Sequence, residues 1–108
     1  MTPAHLAVEH EDLPKLRDLL DSGSDIEDAD EHGFTLLLHA IDVERDGANQ
    51  TGDPLQVSVT AFLLARGADP LRRDCSGLTP LDYAEMTGHW LAAEVIRAWI
   101  ARRTATGQ

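Results

Sequence analysis

Apolar residues recur at helical spacing in three separate stretches of the chain. Side chains three or four positions apart lie on one stripe of a helix, and such a stripe is buried against neighbouring helices. The stripe positions are Leu6, Leu13, Leu16, Leu19 and Leu20 in the first stretch, Val59, Phe62, Leu63 and Leu64 in the second, and Leu91, Val95, Ile96, Trp99 and Ile100 in the third. The pattern predicts an all-α fold in which these positions, together with Trp90, pack in the core or at its ends.

Two sequence markers recur in register along the chain. A Thr is followed five residues later by Ala at Thr2, Thr35 and Thr79, and the steps between these Thr residues are 33 and 44 residues. A Gly stands twelve residues before two of them, at Gly23 and Gly67. A period of this length indicates a repeat architecture, here with an 11-residue insertion in the second repeat.

Two short polar segments lie between the repeats. "DEHG" and "DCSG", residues 30–33 and 74–77, each place Asp and Gly three positions apart. This spacing is typical of a type I turn. In the first repeat, Asp12 is a suitable cap for a second helix, with Pro14 in its first turn.

These segments resemble the ankyrin repeat family, which is marked by T-P-L-H-x-A and a later Gly-His. The matching segments are "TPAHLA", "TLLLHA", "TPLDYA" and "ARGADP", with Gly-His at 88–89. The resemblance implies one domain, residues 1–108, built as an all-α ankyrin-repeat solenoid of stacked helix-turn-helix units joined by β-turn fingers. Its repeats are 1–29, 30–73 and 74–108. It also implies structural, hydrogen-bonding roles for His5 and His89.

The sequence departs from the family pattern at several positions. The first repeat has Glu11 and Asp12 in place of Gly-His, and the third has Asp82 in place of His. The second repeat lacks the Pro, and its His39 comes one position late.

In the ankyrin family, the turns and the first helix of each repeat form a concave face that binds a partner protein. The matching positions here are Glu9, His10, Glu31, His32, Phe34, Asp42, Val43, Leu78 and Met86. They combine an apolar centre with an acidic rim, as a partner with a basic surface requires. Alternatively, Phe34 and Leu78 only pack against the neighbouring turn.

The net charge is −10, and it is unevenly distributed. Residues 1–60 carry −11, whereas residues 61–108 carry +1. Such a field repels nucleic acids and anionic membranes and favours a basic partner, although an acidic surface also serves solubility alone.

The inserted segment, residues 42–56, has the composition of a loop. Asp42, Glu44, Asp46 and Asp53 imitate a calcium-binding loop, but Glu44 replaces a shorter ligand and Asp53 replaces the bidentate Glu. A calcium- or small-ligand-binding module is therefore the alternative function. The other readings of the segment are a solvated turn or a partner-binding loop.

Composition bounds the remaining classes. The sequence contains no apolar run long enough to span a bilayer, and charges break up its first 20 residues, unlike a signal peptide. A single cysteine, Cys75, excludes an internal disulfide. We expect a cytoplasmic, monomeric protein without a cofactor.

No catalytic constellation is apparent in the sequence. The expected function is a non-enzymatic protein-interaction module, acting as a stoichiometric inhibitor by analogy with the immunity half of a bacterial toxin pair.

Overall fold

The computed structural model describes residues 2–52 and 54–107, and six helices lie in these two ranges. They are α1 (Pro3–Glu9), α2 (Leu13–Asp21), α3 (Leu36–Thr51), α4 (Ser58–Ala65), α5 (Pro80–Thr87) and α6 (Trp90–Gly107). Across these ranges, the only β pairing is an isolated bridge between Ala29 and Thr35. The all-α prediction is confirmed.

The helices form three consecutive pairs. α1 packs on α2, α3 on α4, and α5 on α6. α3 also packs on both α1 and α5, so these three helices form one row, which we call the inner row. The second helices lie behind this row, where α4 packs on α6.

The repeated threonines begin the helices of the inner row. The hydroxyl oxygens of Thr2, Thr35 and Thr79 each accept a hydrogen bond from the backbone N–H three residues later, at 3.2, 3.3 and 3.1 Å. A side-chain acceptor at this position satisfies a backbone donor that the helix itself leaves without a partner. The 33- and 44-residue steps therefore mark the start of each helix pair.

The two predicted turns are present and share one geometry. The Oδ1 atoms of Asp30 and Asp74 each accept hydrogen bonds from the backbone N–H groups two and four residues later, at 2.8 and 3.0 Å in both turns. Gly33 and Gly77 close the turns at φ of 76° and 84°, a region that glycine adopts without steric cost. At Gly33 a Cβ would also lie 2.9 Å from the backbone nitrogen of Cys75, so the two turns are in close contact.

The buried core follows the predicted stripes with three exceptions. Leu16, Leu63 and Ile96 are fully buried, and the other buried apolar residues belong to the same cluster. Leu19 is only partly buried, and two residues expected in the core are exposed. These are Leu6, 45% exposed on α1, and Trp90, 62% exposed at the start of α6. Both lie in the terminal helix pairs, which have a neighbouring pair on only one side.

The predicted loop at 42–56 is wrong over most of its length. α3 continues through Thr51 and is 16 residues long, compared with 7 for α1 and 8 for α5. Most of the insertion therefore lengthens an inner helix.

We predict that Leu63→Ala lowers the free energy of unfolding by about 2–5 kcal/mol, because the surrounding core cannot fully close the cavity that it leaves. Chemical denaturation followed by circular dichroism measures the change. Leu6→Ala is the matched control, and it should cost much less because Leu6 is 45% exposed. Equal losses in the two variants would contradict the assigned helix faces.

Candidate partner-binding face

The exposed side of the inner row, which we call the inner-helix face, carries most of the predicted binding residues. Glu9, Asp42 and Met86 occupy equivalent positions, separated by the same 33- and 44-residue steps as the capping threonines. Glu9 and Met86 are exposed, and Asp42 is half-buried. His10 and Val43 follow at the next position on α1 and α3. The structure therefore brings the predicted helix residues onto one side of the molecule.

A groove runs between α1 and α3 on this face. It has a volume of about 470 Å³. Its lining residues are Glu9, Glu11, His39, Asp42, Val43, Asp46 and Gly47. Four of the seven carry carboxylates, so the groove, which we call the acidic groove, has a predominantly negative lining.

Internal contacts compensate part of this charge. The Arg45 guanidinium contacts Asp42 at 2.9 Å and Asp46 at 2.7 Å. His39 Nε2 lies 3.2 Å from Glu9 Oε1. Two of the four carboxylates therefore have arginine as a partner, and a third contacts an imidazole.

Glu11 occupies the connection between α1 and α2 with an unusual backbone. Its φ is 52°, in the left-handed region that residues other than glycine rarely adopt. Burial raises the pKa of Glu11, and the nearby Glu44 carboxylate raises it further. A positive charge entering the groove would favour the ionised form of Glu11.

Tyr83 is part of the face, although its role was not predicted from the sequence. Its hydroxyl donates a hydrogen bond to Asp42 Oδ1 at 2.7 Å and connects α5 to α3. Burial and this hydrogen bond raise the pKa of Tyr83 well above its ordinary value. The repeat spacing could have identified it, because Tyr83 follows His39 by the same 44 residues that separate Asp42 from Met86.

Phe34 packs against this face and is half-buried. Its ring lies edge-on to Tyr83, with centroids 5.2 Å apart, and to His39 at 6.3 Å. This is consistent with the packing alternative for Phe34, which forms part of the wall between the turn and the inner row.

The other turn residues lie further out. Glu31 and His32 are exposed at the tip of the first turn, and Leu78 is half-buried beside the second. The His32 carbonyl accepts a hydrogen bond from the Cys75 N–H at 3.4 Å. The two turns therefore form a continuous edge next to the inner-helix face.

Glu44 is a buried carboxylate with four hydrogen-bond donors. Its Oε2 accepts from the backbone N–H groups of Val59 and Thr60 at 2.9 and 3.2 Å. Its Oε1 accepts from the Thr60 hydroxyl at 2.7 Å and contacts His89 Nε2 at 3.1 Å. Because His89 Nδ1 accepts from the Ala92 N–H at 3.2 Å, the imidazole proton lies on Nε2 and is donated to Glu44. Glu44 thus joins α3, α4 and α6.

His5 has a comparable structural role in the first pair. Its Nδ1 lies 2.9 Å from the Thr2 hydroxyl, and its Nε2 donates to the Phe34 carbonyl at 3.1 Å. The structural interpretation of His5 and His89 is confirmed.

The geometry does not support the calcium-loop hypothesis. Asp42, Glu44 and Asp46 lie on a helix, Glu44 is buried with its donors, and the other two carboxylates contact Arg45. Asp53 lies outside the described residues. Over residues 2–52 and 54–107 there is no group of three or more side chains placed to hold a metal ion.

Comparisons with known proteins do not identify the chain. No family model matches it, and no curated protein matches it. Among the helices of the described ranges, none has the length and apolar content needed to cross a bilayer.

We predict that Glu44→Gln lowers the free energy of unfolding by about 2–4 kcal/mol. The amide NH₂ would face hydrogen-bond donors that the carboxylate now accepts, and buried donors left without an acceptor are costly. Urea denaturation measures the loss. Asp46→Asn makes the same chemical change at an exposed position on α3 and should shift stability by less than about 1 kcal/mol. The prediction fails if both variants unfold at the same urea concentration.

Proposed function

We propose that the chain is an ankyrin-repeat protein that binds a basic partner protein through the inner-helix face and the adjoining turns. Three helix pairs that begin with the same Thr cap support the repeat assignment, as do two turns with the same Asp and Gly geometry. Each pair packs on the next, as repeats must in order to bury their apolar faces.

The observation that carries the proposed function is the acidic groove. It lies on the side of the inner row that no other described element covers, and four carboxylates line it. Complementary charge steers a basic partner into contact and fixes its orientation. Because Arg45 lies between Asp42 and Asp46, it also limits the number of positive charges that the groove can accept.

The opposite end of the face is apolar. Met86 on α5 is 64% exposed at the position that is acidic in Glu9 and Asp42. Methionine adapts its shape to irregular apolar surfaces. The preferred partner therefore places basic side chains over α1 and α3 and an apolar side chain over α5.

We further propose a non-enzymatic, stoichiometric role in the cytoplasm, such as inhibition of the bound protein. The polar side chains of the face bind one another, as Tyr83 and Arg45 do with Asp42. A surface of this kind recognises charge and shape and offers no activated nucleophile. The exposed thiol of Cys75 is compatible with a reducing compartment.

The proposed function predicts a charge-dependent interaction. Glu9→Lys with Glu11→Lys should weaken partner binding at least about tenfold, because attraction in the groove becomes repulsion. Affinity capture from an extract of the source cells with mass spectrometry identifies the partner, and titration of the purified partner then measures the loss.

The matched control is Asp18→Lys with Glu94→Lys, which makes the same change in net charge on α2 and α6. Both residues are exposed and contact only a neighbouring arginine in the described structure, so the fold should tolerate the change. Binding should be nearly unaffected in this control. Equal weakening in the two variants would point to net charge instead of the groove, and capture of acidic proteins would contradict the proposal.

A further inference from the structure

The three helix pairs can be compared position by position because their caps coincide. Asp12 caps α2 by accepting the N–H three residues later at 3.2 Å, and His89 caps α6 in the same way at 3.2 Å. These two residues are 77 positions apart, as are Thr2 and Thr79. Both helices of the third pair are therefore in register with those of the first.

Two positions are apolar and buried in the first two pairs but charged and exposed in the third. Val8 and Ile41 correspond to Glu85, and Leu20 and Leu64 correspond to Arg97. In the first and second pairs these side chains belong to the common core, which continues into the next pair. In the third pair no described element lies beyond them.

The charges at this end bind each other. The Arg97 guanidinium contacts Glu85 on α5 and also contacts Glu94, one turn away on α6. These side chains border a shallow groove of about 250 Å³ between α5 and α6, which Trp90 also lines. The face is electrically compensated and polar where its counterparts are apolar.

The opposite end of the stack shows the same replacement. Lys15 is exposed where the second and third pairs have the buried residues Val59 and Ala92. Asp18 is exposed, and it occupies the position of two apolar residues that pack against the core, Phe62 and Val95.

We infer that charged side chains close both ends of the stack against a second copy of this chain. Glu85 and Arg97 close the α5–α6 end, and Lys15 and Asp18 close the α1–α2 end. Stacking two copies head to tail would strip water from these charges, whose existing partners already satisfy Arg97 and Asp18. Without the charges, the two ends would be complementary, since the same pair-on-pair packing operates within the molecule.

The consequence is a preference for lateral binding. A head-to-tail contact between repeats does not close on itself and would generate open filaments. Charged ends prevent this and leave the inner-helix face and the turns as the accessible binding surface. This inference does not depend on which partner the face binds.

The test restores the apolar residues of the internal pairs. The first variant carries Glu85→Val and Arg97→Leu, the second carries Lys15→Val and Asp18→Phe, and the third carries all four changes. Sedimentation velocity gives the mass of each over a range of concentrations, and circular dichroism verifies that each remains helical.

We expect the wild type to remain a monomer of 11.8 kDa at all concentrations. An equimolar mixture of the first two variants should form a complex of twice that mass and no larger, because each retains one closed end. The four-change variant should form progressively longer assemblies as its concentration rises. Glu85→Gln with Arg97→Gln is the control: it removes the charges but stays polar, and it should remain monomeric when mixed with the second variant.

Three results would overturn the inference. One is self-association of the wild type, and another is a folded four-change variant that stays monomeric. The third is a mixture in which the glutamine control associates as strongly as the apolar variant, because apolar contact would then not be the cause. None of these results bears on whether the acidic groove binds a basic protein.

Discussion

The buried carboxylate of Glu44 is the interaction on which the arrangement of the second and third helix pairs depends. α4 begins at Ser58, and its N-cap residue, Val57, offers no side-chain acceptor for the first backbone N–H groups. Glu44 supplies that acceptor from α3, and its negative charge also lies at the favourable end of the α4 dipole. The same carboxylate accepts the proton of His89, which caps α6. A single side chain thus sets the position of two helix starts.

The length of α3 makes this arrangement possible. Glu11 and Glu44 occupy equivalent positions, 33 residues apart, but α1 ends at Glu9 whereas α3 continues through Thr51. Glu11 therefore lies in a connection at positive φ, and Glu44 lies within a helix and is buried. The insertion has the effect of turning an exposed acidic position into an internal cap for the next helix.

Much of the fold could be predicted because its signals are local. The Thr caps and the Asp-Gly turns depend on hydrogen bonds between residues two to four positions apart, so their spacing alone indicates the repeat. The extent of α3 could not be predicted in this way. Gly47 and Gly52 favour turns, but the packing of α3 on its neighbours and the contacts of Glu44 outweigh this preference. Those contacts reach Thr60 and His89, 16 and 45 residues away, which no local pattern encodes.

The candidate site was predictable to the same degree. Repeat spacing placed Glu9, Asp42 and Met86 on one face, but it did not indicate that Phe34 would be held between Tyr83 and His39. An apolar stripe also does not reveal whether a neighbouring helix covers it, which is why the exposure of Leu6 and Trp90 became apparent only in the structure.

The charged surfaces of the molecule differ in how their charges are balanced. At the α5–α6 end, Arg97 lies between Glu85 and Glu94, so the charges satisfy one another and offer little to an incoming molecule. In the acidic groove, four carboxylates share one arginine and one imidazole. An unbalanced surface attracts opposite charge at a distance, whereas a balanced polar surface resists burial. The two kinds of surface therefore support complementary roles, with attraction concentrated on the side of the stack and repulsion of further copies at its ends.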